Sequence, residues 1–97
     1  MAPLTRHLSI HGRVQSIGFR WSLRAQAKAL GLAGWVRNRR DGSVEALICG
    51  DAEAVEALTA WAYRGPPGAR VDRLLSNDTP GIEDGEALSG FTQRPTY

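Results

Sequence analysis

The run His11-Gly12-Arg13-Val14-Gln15-Ser16-Ile17-Gly18-Phe19-Arg20 holds the residues of this chain best suited to chemistry. It lies between an alternating apolar pattern and a helical one. Backbone N–H groups in such a junction can converge on an anion, and the start of the helix adds a partial positive charge. Arg20 falls at that start, where its planar guanidinium can take two phosphate oxygens in a bidentate grip. Alone, Arg20 would read as a surface helix residue; the loop before it makes it a ligand. The segment from Gly12 to Arg20 is therefore expected to wrap a phosphate, with Gln15, Ser16, Ile17, Gly18, Phe19 and Arg20 as the candidate binding residues. Phe19 doubles as core and scaffold, and Gln15 either orients the loop or is a plain exposed amide.

Spacing excludes the commoner phosphate chemistries. A Walker A loop needs Gly-Lys-Ser/Thr after four intervening residues, but Gly18 is followed by Phe19 and Arg20. A cysteine nucleophile would have to open the loop, whereas Cys49 lies far along the chain and reads as inert strand filling. No run of His, Asp and Glu has two-metal spacing. His7 and His11 share a strand face, yet two histidines without a third ligand are weak grounds for a metal. No metal and no cofactor are expected.

The elements that must position this loop follow from periodicity. Leu4, Leu8, Ile10 and Val14 are apolar while Thr5, His7, Ser9, His11 and Arg13 are polar, which predicts a half-buried strand from Leu4 to Val14. Phe19, Leu23, Ala27 and Leu30 then recur at helical spacing, predicting a helix from Trp21 to Leu30 capped by Gly31. Trp35 and Val36 lead to Asp41-Gly42, a hairpin signal, and Val44, Ala46 and Ile48 alternate in the next strand. Asp51 is placed to cap a second helix with Val55, Leu58, Trp61 and Ala62 as its buried stripe. Gly65-Pro66-Pro67-Gly68 ends that helix. A fourth strand runs through Val71 and Leu75, residues 77–86 read as a loop, and a short strand closes the chain around Leu88 to Gln93. The fold class is α+β, a ferredoxin-like βαββαβ sandwich with two helices on one face of an antiparallel sheet.

Ninety-seven residues leave room for one domain, 1–97, with one modest core. An apolar fraction of 42 % and a charged fraction of 23 % are ordinary for a globular chain. Apolar stretches are too short to span a membrane, and the first residues lack a secretory pattern, so a cytoplasmic protein is expected. Residues 1–50 carry eight basic and two acidic side chains, residues 51–97 four basic and eight acidic, which points to an anionic ligand near the first half. Eleven of the twelve basic residues are arginine, so base composition of the gene is a competing explanation. Arg37, Arg39 and Arg40 read as a solvated rim that attracts substrate rather than as a nucleic-acid patch.

Gly12-Arg13-Val14-Gln15-Ser16-Ile17-Gly18-Phe19-Arg20 resembles the acylphosphatase signature Gly-x-Val-Gln-Gly-Val-x-Phe-Arg. Gly31-Leu32-Ala33-Gly34-Trp35-Val36-Arg37-Asn38 with Asp41-Gly42-Ser43-Val44 resembles that family's second signature, and Gly65-Pro66-Pro67-Gly68-Ala69-Arg70-Val71 its Gly-Pro turn. The likeness covers residues 4–94. It implies cofactor-free hydrolysis of acyl phosphates, with Arg20 as phosphate ligand and Asn38 orienting the attacking water. Chemistry agrees: a carboxylate leaves with little protonation, so positioning and charge stabilisation can supply most of the catalysis. An amide accepts a hydrogen bond from water without titrating. Outside the signature, Asn38 would be an ordinary turn former.

Ser16 departs from the family, which has Gly after Val-Gln, and Ile17 replaces Val. Gly18, two residues later, is a candidate source of the backbone freedom lost at Ser16. The rival reading is a non-catalytic ferredoxin-like module binding phosphate or RNA, since fold does not fix function. An RNA binder should show stacking rings on its central strands; Val44-Glu45-Ala46-Leu47-Ile48 offers none. A phosphate-sensing domain, or one part of a larger maturation enzyme, is a second rival. The expected partner is a small acyl phosphate, with no nucleic acid and no membrane, bound by a monomer.

Overall fold

A computed structural model of the chain describes residues 3–79 and 90–97. The opening alternation forms β1 (Leu4–Arg13), followed by α1 (Phe19–Ala29), β2 (Ala33–Asn38), β3 (Val44–Gly50), α2 (Ala52–Arg64), β4 (Arg70–Thr79) and β5 (Phe91–Gln93). The helix α1 starts two residues before the expected Trp21, because Gly18 takes the N-cap position. It ends as expected at Gly31: the Gly31 N–H donates to Lys28 O (3.1 Å) and the Leu32 N–H to Ala27 O (2.9 Å), a Schellman closure. Asp51 occupies the N-cap of α2, but its side chain makes no capping bond, contrary to expectation.

The five strands order as β4-β1-β3-β2-β5. All neighbours are antiparallel except β2 and β5, which run parallel. The expected all-antiparallel sheet is therefore mixed, and a short fifth strand extends the βαββαβ order. The cause is topological: β4 ends at the end of the sheet where β2 begins, so a strand starting there on the opposite edge runs with β2. Of the loop expected over 77–86, residues 77–79 are strand instead, paired as Asp78 with Arg6 and Asn77 with His7. The remainder lies outside the described residues, as do positions 88 and 89 of the expected last strand.

Both helices cover one face. Leu8 and Ile10 of β1, Val36 of β2 and Ile48 of β3 meet Leu23 of α1 and Leu58 of α2 in a single core, all fully buried. Phe19 closes this core beneath the loop, with its ring edge-on to Trp61 at 5.6 Å between centroids.

Arg6 breaks the apolar alternation on the helix-covered face of β1, and its side chain is only 10 % exposed. Its guanidinium donates to Asp78 Oδ1 (2.6 Å), Glu56 Oε1 (3.0 Å) and Thr59 Oγ1 (3.1 Å), tying α2 and β4 to β1. Hydrogen bonds from Arg6 hold both carboxyls below the usual range. Burial pushes Glu45 up, but hydrogen bonds from His7 and Arg37 together outweigh it, leaving that carboxyl lowered as well. Carboxyls lowered by folding stabilise the native state above their unfolded pKa and lose that contribution as pH falls through the folded value. The contribution of these carboxyls to stability should therefore be complete above about pH 5 and fall on acidification below about pH 4.5. Urea midpoints measured across that range check this, and Arg6→Met should flatten the decline.

Candidate active site

The strand directions bring the C-terminal ends of β1, β2 and β5 to one end of the sheet. There the loop of residues 14–18 joins β1 to α1, Asn38 ends β2, and Gln93 ends β5. Within the loop, Ser16 (φ 64°) and Gly18 (φ 77°) are left-handed while their neighbours are not. Left-handed residues set among others of ordinary hand are the backbone pattern from which anion nests are built. Among the described residues, no N–H of residues 15–18 donates a hydrogen bond within the protein, and Gly18 provides α1 with no side-chain cap. The first turn of α1 thus keeps its donors and its partial positive charge free.

Side chains on either side of these donors fix the loop. Val14 and Phe19 are buried, and Ile17 packs against the core. Gln15 is a tether: its Nε2 donates to Arg39 O (2.8 Å) and Ser43 O (2.9 Å), joining the loop to the β2–β3 turn. That turn is held in turn by Asp41 Oδ1, which accepts from the Ser43 N–H (2.9 Å) and Ser43 Oγ (2.6 Å). Those two bonds lower the Asp41 carboxyl.

A pocket of about 100 Å³ results, lined by Val14, Ser16, Gly18, Phe19, Arg20, Trp21, Asn38 and Gln93. Of the sequence-predicted residues, Ser16, Gly18, Phe19, Arg20 and Asn38 come together there. Gln15 and Ile17 stand behind it as supports. Trp21 and Gln93 were not foreseen; Gln93 arrives only through the parallel pairing of β5. Asn38 Oδ1 is buried and has no hydrogen-bond partner among the described residues. Leaving such an acceptor unsatisfied costs on the order of 1–3 kcal/mol, the kind of expense found at working sites.

The other residues singled out in the sequence lie elsewhere. His7 Nε2 pairs with Glu45 Oε2 at 2.6 Å and His11 Nε2 with Ser9 Oγ at 3.1 Å. Cys49 accepts from Thr5 Oγ1 at 3.2 Å. Arg37 does not belong to the expected solvated rim, because it is bound to Glu45 (2.7 Å) and stacked between Trp35 and Tyr97. Arg39 and Arg40 line a larger cleft of about 470 Å³ with Asp41, Thr96 and Tyr97. That cleft contains none of the loop donors, so convergent chemistry favours the smaller pocket despite its size.

Ser16 and Gly18 are left-handed together, so Gly18 does not relieve Ser16 as expected; each carries its own conformational demand. A Cβ at such a φ costs on the order of 1 kcal/mol. Ser16→Gly should raise unfolding stability by about that amount and preserve turnover. Gly18→Ala should lower stability by about as much through the backbone alone, because a Cβ at Gly18 would meet nothing within 4 Å. Urea titration of both variants measures this, and a less stable Ser16→Gly would show that the hydroxyl supports the loop.

Fold and site together define a class: a ferredoxin-like α+β sandwich with an anion nest where its first strand meets its first helix. A family model described as Acylphosphatase matches residues 6–92, and the chain belongs to the acylphosphatase family. An acylphosphatase of Thermococcus kodakarensis is 53 % identical over 91 residues, covering 94 % of this chain and 96 % of that protein. One from an Acidovorax species is 50 % identical over 95 residues, covering 98 % and 94 % respectively. The structure of an acylphosphatase from Coxiella burnetii matches with a TM-score of 0.86 at 36 % identity, over 95 % of this chain and 93 % of that one.

Proposed function

We propose that the chain hydrolyses acyl phosphates to carboxylate and inorganic phosphate, with the phosphoryl group in the nest of residues 15–20. Arg20 and the free N–H groups take its oxygens, and their charge offsets the negative charge shared among them during transfer. The Asn38 amide oxygen accepts a hydrogen bond from the attacking water and aims the water oxygen at phosphorus, and the protons of that water leave on the inorganic phosphate. The new P–O bond forms as the bond to the acyl oxygen breaks, and the electron pair leaves on the carboxylate. No general acid is required, because a carboxylate is stable unprotonated at neutral pH.

The unsatisfied acceptor of Asn38 in the wall of an anion pocket carries this reading. A carbonyl oxygen beside a bound phosphate is repulsive unless a donor stands between them, and water is that donor. A module that only bound phosphate would gain nothing from it. The chemistry is read as independent of metal and cofactor, and residues 1–97 as one acylphosphatase-like domain working as a cytoplasmic monomer. Among the described residues, no helix is long and apolar enough to cross a membrane.

The test compares phosphate release from acetyl phosphate and from 4-nitrophenyl phosphate, each with and without chelator. Release from acetyl phosphate alone, unaffected by chelator, is expected. Loss of activity in chelator with recovery on adding a divalent ion would overturn the metal-free mechanism, and equal attack on the monoester would overturn the substrate class.

A further inference from the structure

We propose that Trp21 is the platform on which the acyl group of the substrate rests, favouring acyl phosphates whose acyl group is planar and apolar. The inference depends on the small pocket being the phosphoryl site. That pocket, about 100 Å³, equals roughly three water molecules of liquid volume. A phosphoryl group and its attacking water fill it, so the acyl group must stand at the mouth.

Trp21 follows Arg20 on α1 and lines the same pocket, yet it is 67 % exposed. The other two tryptophans are engaged: Trp61 packs against Phe19, and Trp35 is covered by the guanidiniums of Arg37 and Arg94. Trp21 has no ring or cation partner among the described residues. An indole left open beside a reaction centre offers a large rigid apolar face at little conformational cost.

In-line displacement determines which wall meets the acyl group. Water and leaving group lie on opposite sides of phosphorus. With the water at Asn38 on β2, the acyl group leaves away from β2 and from the Arg39 and Arg40 cleft beside it. Among the described residues that line the pocket outside β2, Trp21 is the one with an exposed apolar face.

The experiment measures kcat/KM for benzoyl phosphate and acetyl phosphate in the unmodified protein, Trp21→Ala and Trp21→Phe, with inorganic phosphate as inhibitor. Trp21→Ala should lower the benzoyl-to-acetyl ratio by about fivefold to tenfold, mainly through KM, with Trp21→Phe recovering most of it. Inorganic phosphate should still inhibit both variants. Benzylphosphonate should inhibit the unmodified protein more strongly than methylphosphonate and lose that advantage in Trp21→Ala. An unchanged ratio, or no difference between the two phosphonates, overturns the platform while leaving the phosphoryl site intact. Failure of the unmodified protein to release phosphate from either acyl phosphate would instead overturn the proposed function, and the platform with it.

Discussion

Arg20→Ala is expected to abolish phosphate inhibition and acyl phosphate turnover together, with turnover falling by about a thousandfold or more. Among the described residues, Arg20 is the only cationic side chain lining the pocket. The free N–H groups of the loop would remain, but a nest of neutral donors cannot match a forked cation against a dianion. Arg20→Lys should recover little, because an ammonium is a point charge without the planar fork. Steady-state rates and inhibition by inorganic phosphate read both effects. Strong inhibition surviving in Arg20→Ala would remove Arg20 as the phosphate ligand.

Asn38→Ala should separate what Arg20→Ala joins. Its amide is assigned to water, so kcat should fall by about a hundredfold or more while phosphate affinity stays within about twofold. Removing the side chain also removes a buried unsatisfied acceptor, so the variant should be no less stable than expected for an ordinary Asn→Ala change. Phosphate inhibition lost in parallel with kcat would make Asn38 a ligand of the anion rather than of the nucleophile.

The candidate phosphate loop is legible as a strand-to-helix junction because local signals coincide there: an alternating strand, two glycines and a helical repeat beginning at Phe19. Asn38 was not legible in the same way. An Asn before a hairpin is an ordinary turn residue, and only the family resemblance set it apart until its unsatisfied oxygen appeared in the pocket wall. Trp21 was hidden by its place on a helix, where the apolar stripe directs attention to Phe19 and Leu23, both buried. The end of β4 read as a loop because Asn77 and Asp78 are polar; an edge strand tolerates polar side chains, and Asp78 is there to meet Arg6. The direction of β5 could not be read from three residues, since the sense of a strand depends on which end of the sheet the chain returns to.

The pairing of β1 with β4 bears on how the molecule acquires its structure. β1 lies inside the sheet, yet one of its neighbours is the strand that places Thr79 opposite Thr5. Loops of that length must close before the pairing is rewarded, so the fold has a high contact order and should form slowly for its size. During synthesis, β1 can find β3 early but must wait for residue 79 to clear the ribosome before its second edge is covered. Until then its unpaired edge is a template for another chain, and nascent copies are most exposed to strand-to-strand association during that interval.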